Sequence, residues 1–531
     1  MDLRMQHPRR NSIAPALLLL LFCLLAIGTV FLQADVYGLT IDEPLQDAYG
    51  RSLLKWYTTF GHDQSFITGY DQALHMPEHG ASFEVLVALV QHFTHEQWHT
   101  RAVVNGLAGV AGIIGMALCG LEIGGWWIAL LAAISLWLYP RFFGAIFNNS
   151  KDLPFASVTC FVLWAVLLLV RSWESRKRLS LCLLVGFLIG LAASIRINAV
   201  VWYPILAVLL AGWWLLHGKK LLKERRVLPV LGSHIIAAVL LGGTSFLAMI
   251  LLWPYIALDP VHNLVRAFQV MSQYPWNGTV PFAGQIYPAS QLPRTFVPTW
   301  LAISSPPAML FFAAVGCFFP CLWLLRRRKL EGRTAALLLA FGAPLAALVL
   351  MRPTLYDSIR QFLFLVPPLL LLAMLGIKCL YDVLIARAYK LAAGVLILLV
   401  LLSHALVGKE MLELHPYEYI YFNQLVGGVA GANGKYEMDY WATCTKPAIK
   451  WLGEHYAEYM PDREVIFIAS PQWGQIRPFV PGNFRYRQKT PDFYLASTRF
   501  NWGRQYPDYS VIHTITIQGY DACVIKVRPT K

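Results

Sequence analysis

Charged side chains are rare inside the long apolar segments of this 531-residue sequence and collect instead where those segments end. Carboxylates in such positions can take up protons, and arginine or lysine side chains can bind phosphate oxygens. Acids and cations gathered at one membrane surface suit a lipid-phosphate substrate whose tail lies in the bilayer. The residues concerned are Asp42, Glu43, Lys151, Asp152, Arg196, Arg352, Asp357 and Arg360.

A second pattern with chemical meaning is the formal H-E-x-x-H formed by His95, Glu96 and His99. On a helix this spacing places two imidazoles on one face, where they can hold zinc while the glutamate acts as a base. The pattern lies at the edge of an apolar segment, and Trp98 inside it is typical of the aromatic belt at a membrane surface. No third ligand follows at a recognisable metalloprotease spacing. A membrane metalloprotease is therefore a minor alternative.

The composition places the elements that position these residues in a lipid bilayer. Of the residues, 57% are hydrophobic and only 14% are charged, with a mean hydropathy of +0.51, which is far more apolar than a soluble domain. Uncharged runs of about 15 to 24 residues can each cross a ~30 Å hydrocarbon core, and they predict about eleven transmembrane helices. The runs are 12–34, 100–119, 125–139, 153–170, 179–194, 199–216, 229–252, 307–325, 334–350, 362–377 and 391–407.

The orientation follows from lysine and arginine, which favour the cytoplasmic side of a membrane. A cytoplasmic N-terminus places most of them inside, so that topology accounts for much of the net charge of +14 and binding to nucleic acid is not expected. The inner residues are Arg4, Arg9, Arg10, Arg171, Arg176, Lys177, Arg178, Lys219, Lys220, Lys223, Arg225, Arg226, Arg326, Arg327, Arg328, Lys329, Arg333, Lys378, Arg387 and Lys390. The predicted outer segments are 35–98, 253–306 and 409–531.

The predicted spans carry no Asp, Glu or Lys near their centres. An ion-coupled transporter usually needs ionisable groups close to the membrane midplane, so the pattern disfavours that class.

The segment after residue 408 changes character. Short runs at 465–469, 493–496, 511–517 and 522–527 predict strands, and they follow a predicted helix at 446–459. We therefore expect a transmembrane domain of residues 1–408 and a small α/β domain of residues 409–531 outside the membrane. Cys444 and Cys523 both fall in that domain, where a disulfide is chemically permitted, and the sequence leaves their pairing open.

Four stretches of sequence resemble the GT-C superfamily of membrane glycosyltransferases. In chain order they are TIDEPLQDAYGRSLLKWYTTFGHD after the first span, PRFFGAIFNNSKDLPF after the third, YDSIRQFLFLVPPLLLLA at the tenth, and HPYEYIYFNQLVGG with KYEMDYW after the last. The resemblance is to the group that holds the protein O-mannosyltransferases and the lipid A aminoarabinose transferase, glycosyltransferase family 39. It implies an all-α membrane bundle that transfers sugar from a polyprenyl-phosphate donor, with inversion, at the outer leaflet.

The implied reaction gives roles to the acidic residues. An acceptor hydroxyl loses its proton as it attacks, so a carboxylate is the natural general base, and Asp42 is the candidate. Glu43 would orient the base or the acceptor, and Asp152 is the matching acid of the second loop. Each aspartate could instead be a helix N-cap, because Pro44 and Pro154 follow closely; Asp42 would then start a helix at 45–57.

The implied leaving group is a lipid phosphate that gains negative charge, and cations must meet it. Arginine suits phosphate oxygens because its donors form a fork, which makes Arg360 the first candidate, with Arg196 and Lys151 behind it. The alternative is a basic side chain that merely reaches the membrane surface, for which Arg352 and Arg266 are better suited.

Some members of the superfamily hold a divalent metal ion near the donor phosphate, and the candidate ligands here are Glu78, Glu84 and His262. Tyr274 and Trp276 are expected in a loop that covers the site. The acceptor stays open between lipid, glycan and protein, and the resemblance fits a bacterial plasma membrane. The rival of another class is a non-catalytic carrier, transporter or scaffold for polyprenyl lipids.

Overall fold

The computed structural model describes residues 13–71, 74–327 and 330–529. Its first ten α-helices are α1 (Ile13–Gln33), α2 (Glu43–Thr58), α3 (Ser65–Thr68), α4 (Ser82–Thr94), α5 (Gln97–Gly124), α6 (Trp126–Trp137), α7 (Pro140–Phe143), α8 (Asp152–Arg171), α9 (Arg178–Ala193) and α10 (Trp202–Lys223). They are followed by α11 (Val227–Leu252), α12 (Pro254–Leu258), α13 (Pro260–Ser272), α14 (Phe296–Ser304), α15 (Pro307–Arg327), α16 (Gly332–Met351), α17 (Val366–Ala386), α18 (Lys390–Leu414), α19 (Gly428–Ala432), α20 (Thr445–Tyr459) and α21 (Trp473–Ile476).

Within the described residues, nine helices are long and apolar enough to cross a membrane, by length and composition. They are α1, α5, α8, α10, α11, α15, α16, α17 and α18, where α10 and α17 each continue a preceding 3-10 turn. The predicted spans 125–139 and 179–194 correspond to the shorter apolar helices α6 and α9. The predicted class, a polytopic membrane bundle, is therefore confirmed, while the predicted number of eleven spans is not.

The centre of the bundle is formed by α5, α8 and α17, which bury most of their side chains. By contrast, α1 and α18 expose rows of leucine that suit contact with lipid. Close packing of α15 on α17 depends on Gly316 and Gly376, because a Cβ built at Gly316 would overlap the carbonyl oxygen of Leu372. Small residues let transmembrane helices approach in this way.

Connections between the long helices separate into two groups. The segments before α2, before α8, after α9, after α11, after α16 and after α18 all contribute to one end of the bundle, where a cavity is found. The short helices α6 and α9 return the chain to that end. The described basic residues of the connections after α8, α10, α15 and α17, which were predicted to be cytoplasmic, lie at the opposite end. Five other residues predicted to be cytoplasmic, Arg4, Arg9, Arg10, Arg328 and Lys329, lie outside the described residues.

The segment between α11 and α15 carries an antiparallel hairpin of β1 (Thr279–Phe282) and β2 (Gln285–Pro288), which the sequence did not predict. Its amphipathic helix α13 begins with a side-chain cap, because the Asp259 carboxylate accepts the N–H of His262 at 3.2 Å.

After α18 the chain, here called the tail, forms a five-stranded sheet with α20 packed on it. The strands are β3 (Ile466–Ala469), β4 (Phe484–Tyr486), β5 (Phe493–Ser497), β6 (Ser510–Ile517) and β7 (Tyr520–Val527), in the order β4-β3-β5-β7-β6. Strand β3 is parallel to β4 and β5, whereas β7 is antiparallel to β5 and β6. All four predicted strands are present, and only β4 was missed. Cys444 and Cys523 form a disulfide that joins the start of α20 to β7.

Candidate active site

A cavity of about 330 Å³ opens at the end of the bundle that faces the tail. Six separate stretches of chain line it: the loop and first turn of α2, the loop before α4, the turn before α8, the turn after α9, the segment after α11 and the turn after α16. A seventh contribution comes from the tail. The charged side chains in the lining are Asp42, Lys151, Asp152, Arg196, Asp357, Arg360 and Arg499. The tertiary structure thus gathers residues that are separated by more than 450 positions.

The loop before α4 and the turn after α9 are held together by close backbone contacts. The N–H of Ala81 donates to the carbonyl of Ser194 at 2.7 Å, which ties the loop before α4 to the turn that carries Arg196. A Cβ built at Gly80 would overlap the carbonyl of Ile195, so only glycine allows this approach. The polar side chains of both segments consequently face one cavity.

Asp42 lies directly before α2. It occupies the N-cap position, but its carboxylate accepts no cap hydrogen bond from the described start of α2. It instead forms an ion pair with Arg360, and 34% of the side chain is exposed. Asp42 thus has the backbone position of an N-cap, but its side chain does not cap α2.

The charge state of Asp42 reflects two opposing effects. Burial raises the pKa of the Asp42 carboxyl, but the positive charges of Arg360, Lys151 and Arg499 outweigh it, and the pKa falls below its ordinary value. Asp42 is thus an anion at neutral pH and able to accept a proton.

Arg360 connects two acids. One guanidinium nitrogen contacts Asp42 and another contacts Asp357 at 2.6 Å. The guanidinium also lies 5.3 Å from the ring centre of Tyr356, in a cation–π contact. The side chain is only 9% exposed. Arg360 is therefore a buried cation whose position is set by charge on two sides.

Lys151 is the cation of the cavity that is free to meet a ligand. It forms no ion pair with any residue that the structure describes, although its ammonium group lies in the field of Asp42. Burial lowers the pKa of Lys151 to about 8, and the neighbouring Arg196 and Arg360 act in the same direction. An anionic ligand in the cavity would raise the pKa of Lys151 again, because it favours the charged form.

Asp152 and Arg196 form the third charged group. Their ion pair measures 2.5 Å, and the Asn149 amide nitrogen lies 3.2 Å from the second carboxylate oxygen of Asp152. Asp152 is the first residue of α8 rather than its cap, and the side-chain oxygen of Asn149 accepts the N–H of Asp152 at 2.9 Å. The cap interpretation of Asp152 is therefore wrong. Its carboxylate holds Arg196.

Glu43 lies outside the cavity lining. It is the first residue of α2 and is buried. Its carboxylate accepts the N–H of Thr40 at 2.6 Å and lies 3.5 Å from the Arg101 guanidinium. Burial raises the pKa of Glu43 to about 7, against the lowering effect of Arg101. Because it holds the backbone next to Asp42, its placement suits support of the first loop better than contact with a substrate.

Two of the three candidate metal ligands are engaged in ion pairs with arginine. Glu84 binds Arg101 at 3.0 Å, Glu78 binds Arg266 at 2.8 Å, and the His262 side chain is exposed on α13. Across residues 13–71, 74–327 and 330–529, no group of three or more His, Cys, Asp or Glu is placed to hold a metal ion. A divalent metal ion at these three residues therefore stays a prediction, and the proposed reaction includes no step on a metal ion.

The H-E-x-x-H pattern is interrupted by a turn. Helix α4 ends at Thr94, His95 adopts a left-handed conformation with φ 59°, and Glu96 is extended before α5 begins at Gln97. The two histidines therefore do not share a helix face, and His99 contacts Asp35 at 2.9 Å. The geometry of a metalloprotease is absent from this segment.

We expect His95→Ala to leave any activity of the protein within about twofold of wild type, because an exposed surface substitution seldom changes more. The measurement is sugar transfer by the purified variant at one donor concentration. A loss comparable to that of an Asp42 variant would restore the metal interpretation.

The two aromatic residues that were expected in a covering loop lie at the cavity. Tyr274 and Trp276 line the cavity from the segment after α11, and the Trp276 indole stacks on Tyr356 with ring centres 4.4 Å apart. The placement agrees with the expectation that this segment covers the site, and it leaves aromatic faces beside the cations. Such faces can stack on a sugar ring.

Sequence reasoning missed two basic lining residues, His79 and Arg499. His79 follows a left-handed turn in the first loop, and burial together with the charges of Lys151 and Arg196 holds its pKa well below the ordinary value, so its imidazole is neutral. Arg499 comes from the tail and binds Asp357. No local signal distinguishes either residue, since an isolated His or Arg in a polar loop is common.

No protein-family model matches this sequence, and no curated protein is significantly similar to it. Among solved structures, the chain is similar to an Archaeoglobus fulgidus oligosaccharyltransferase tethered with an acceptor peptide, at 16% identity and a TM-score of 0.47 over 88% of this chain. The chain spans 63% of the length of that protein. Another structure of this oligosaccharyltransferase, in complex with zinc and sulfate, matches at 15% identity, a TM-score of 0.47, and 91% and 69% of the two chains.

The chain is also similar to ArnT from Cupriavidus metallidurans bound to undecaprenyl phosphate, at 12% identity and a TM-score of 0.48 over 96% of this chain and 97% of that one. Both of these proteins are GT-C membrane glycosyltransferases. At this level of similarity, the chemistry has to be argued from the residues of this chain.

Proposed function

We propose that this chain is an inverting glycosyltransferase that moves a sugar from a polyprenyl-phosphate donor to an acceptor hydroxyl at the outer face of the membrane. The observation that carries the proposal is the meeting of an ionised carboxylate, Asp42, with two cations in one cavity at the end of a membrane bundle. One cation, Arg360, is paired with Asp42, and the other, Lys151, has no ion pair among the described residues. The motif resemblance to GT-C enzymes supports the same reaction.

On the donor side, Lys151 and Arg360 bind the phosphate, and Asp152 keeps Arg196 aimed into the same space. These cations are already in place, so they stabilise the charge that develops on the leaving phosphate without rearranging. The polyprenyl tail stays in the bilayer, which accounts for a phosphate site at the end of transmembrane helices.

On the acceptor side, Asp42 takes the proton. The acceptor oxygen attacks the anomeric carbon from the face opposite the phosphate, a new carbon–oxygen bond forms, and the bond to the phosphate oxygen breaks with its electron pair. The configuration inverts, Asp42 holds the proton, and the polyprenyl phosphate leaves. Negative charge that develops on the phosphate compensates the positive charge of Arg360. The pKa of Asp42 then rises, and the carboxylate becomes a stronger base.

The proposal includes a topology in which the cavity and the tail lie outside the cytoplasm, in a bacterial plasma membrane. It is supported by the basic connections at the opposite end of the bundle. We expect trypsin added to sealed, right-side-out vesicles to cut the tail at the exposed Lys435 or Lys489. Protection of both sites in such vesicles, with cleavage after detergent is added, would reverse the orientation.

Lys151 makes donor binding depend on pH. Below the Lys151 pKa of about 8 its ammonium group is charged and binds phosphate, and as the pH rises through that value binding to the free enzyme weakens. We expect kcat/KM for the donor to fall above about pH 8 in wild type. In Lys151→Arg the side chain stays charged, so kcat/KM should no longer fall above about pH 8. In Lys151→Met kcat/KM for the donor should be low at every pH. A fall that persists in Lys151→Arg would assign the titration to another group.

The proposed activity is tested by incubating purified protein with a panel of polyprenyl-phosphate sugars and a membrane extract as acceptor. Release of polyprenyl phosphate with formation of a glycosylated product supports the transferase. Tight binding of the lipids with no turnover of any donor would instead support the carrier or scaffold.

A further inference from the structure

The tail contributes two residues to the cavity lining, Arg499 and Phe500, and Arg499 is the charged one. Arg499 lies in the turn between β5 and β6 and is only 10% exposed. Its guanidinium contacts Asp357, lies 3.4 Å from Glu437, and donates to the carbonyl of Tyr440. A residue from the last part of the chain thus binds an acid that also binds Arg360.

These contacts form a row of alternating charge: Asp42, Arg360, Asp357, Arg499 and Glu437. The two oxygens of the Asp357 carboxylate are divided, one to each arginine. In a buried row of this kind each charge is held by the opposite charges beside it. The position of Arg360 against Asp42 therefore depends on how strongly Arg499 holds the other side of Asp357.

The far end of the row is anchored to the backbone. The second carboxylate oxygen of Glu437 accepts the N–H of Ser358 at 3.1 Å, so Glu437 fixes the turn that carries Asp357 and Arg360. Without a cation between them, Glu437 and Asp357 would be two buried acids that repel each other. Arg499 is the residue that separates them.

The turn that carries Arg499 has an unusual backbone conformation. Phe500 and Asn501 both adopt left-handed conformations, with φ of 50° and 58°, which non-glycine residues seldom do. Just before the turn, Ser497 of β5 is paired with Cys523 of β7, and Cys523 is joined by the disulfide to Cys444. The sheet and the disulfide therefore fix the point from which Arg499 extends.

We propose that Arg499 is a positioning residue, through which the tail holds Asp357 and thereby sets the alignment of Arg360 with Asp42 in the transferase site. This inference rests on the proposed transferase activity. It makes the tail part of the active site. If the tail were not docked on the bundle, the bound donor would be misaligned for reaction.

The test compares Arg499→Lys and Arg499→Ala with Arg504→Ala, a control in the same turn whose exposed arginine forms none of the contacts described above. We expect Arg499→Ala to lose about 10²-fold in kcat/KM, the size of effect that a small misplacement of reacting groups produces. Arg499→Lys should recover most of the activity, and guanidinium ion at tens of millimolar should partly restore Arg499→Ala. Arg504→Ala should match wild type.

A second readout does not depend on turnover. In pH-difference infrared spectra, the carboxyl band that disappears in Glu437→Gln reports the protonation of Glu437. Removing the Arg499 charge should move its midpoint to higher pH in Arg499→Ala, while Arg504→Ala leaves it in place. The acid limb of the activity profile should move in the same direction.

The outcomes separate the two proposals. Wild type could transfer no sugar from any donor while the Glu437 midpoint shifts as expected in Arg499→Ala. The contact of Arg499 with the row of charges is then supported, and the transferase proposal fails. If wild type is active but Arg499→Ala shows neither the infrared shift nor rescue by guanidinium, the positioning role is overturned and Arg499 is only structural. Full activity of Arg499→Ala would overturn it as well.

Discussion

Asp42→Asn should lower sugar transfer by about 10² to 10⁴-fold, the usual range for a lost acid–base group, while the protein folds normally. Asparagine has nearly the same shape and its carbonyl oxygen can still accept a hydrogen bond from Arg360, but it cannot take the acceptor's proton. Donor binding should be unchanged or slightly tighter, because Arg360 loses one competing negative charge. Single-turnover rates and donor Kd for the purified variant measure the two effects separately.

The matched control for this variant is Glu43→Gln. Glu43 is the neighbouring carboxylate, but it is buried against Thr40 and Arg101 rather than in the cavity. Its substitution should act mainly on stability, with turnover of the folded fraction less affected than in Asp42→Asn. Near wild-type transfer by Asp42→Asn would remove Asp42 from the mechanism, and the neutral imidazole of His79 would be the next candidate for the base.

Arg360→Ala should weaken both donor binding and turnover, because phosphate is present before and after the reaction. A hydrogen bond to a charged group contributes about 1.5 to 3 kcal/mol, so we expect the donor Kd to rise roughly 10- to 100-fold. Turnover should fall further, by about 10² to 10³-fold, since the developing phosphate charge loses a fixed donor. Equilibrium binding of polyprenyl phosphate and kcat at saturating donor distinguish the two losses.

The loss of Arg360 should also change the pH dependence. Arg360 is the first cation that lowers the Asp42 pKa, so its removal raises that pKa and moves the acid limb of the activity profile to higher pH. Arg352→Ala is the control, because Arg352 is exposed, binds the carbonyl of Leu292 at 2.8 Å and lies outside the cavity lining. A donor Kd that is the same in Arg360→Ala and wild type would exclude Arg360 from phosphate binding.

The fold was largely predictable because each element has a local signal. Transmembrane helices must be continuous apolar runs, and every predicted run corresponds to a helix of the structure, although α6 and α9 are shorter than a full span. The tail strands were visible as β-branched runs between turns. Strand β4 has only three residues, Phe484–Tyr486, two of them exposed, so it lacks such a pattern.

The candidate site was predictable only in part. The sequence identified charged residues at helix ends, and six of those eight, all but Glu43 and Arg352, line one cavity. It could not decide between a cap and a cavity residue for Asp42, because the same Asp-Glu-Pro sequence is compatible with both. The decision came from Arg360, which lies far along the chain and forms an ion pair with the Asp42 carboxylate.

By itself, the sequence determined that this is a polytopic membrane protein, where its long apolar helices lie, and which residue types are available for chemistry. These properties depend on composition and on neighbours within about one helix, so they can be read locally. The tertiary structure decided which charges meet. It placed Glu43 against Arg101, left Lys151 without an ion pair among the described residues, and brought Arg499 of the tail to Asp357. Ion pairs act through space over a few ångströms, and no pattern along the chain records which distant residues will be close.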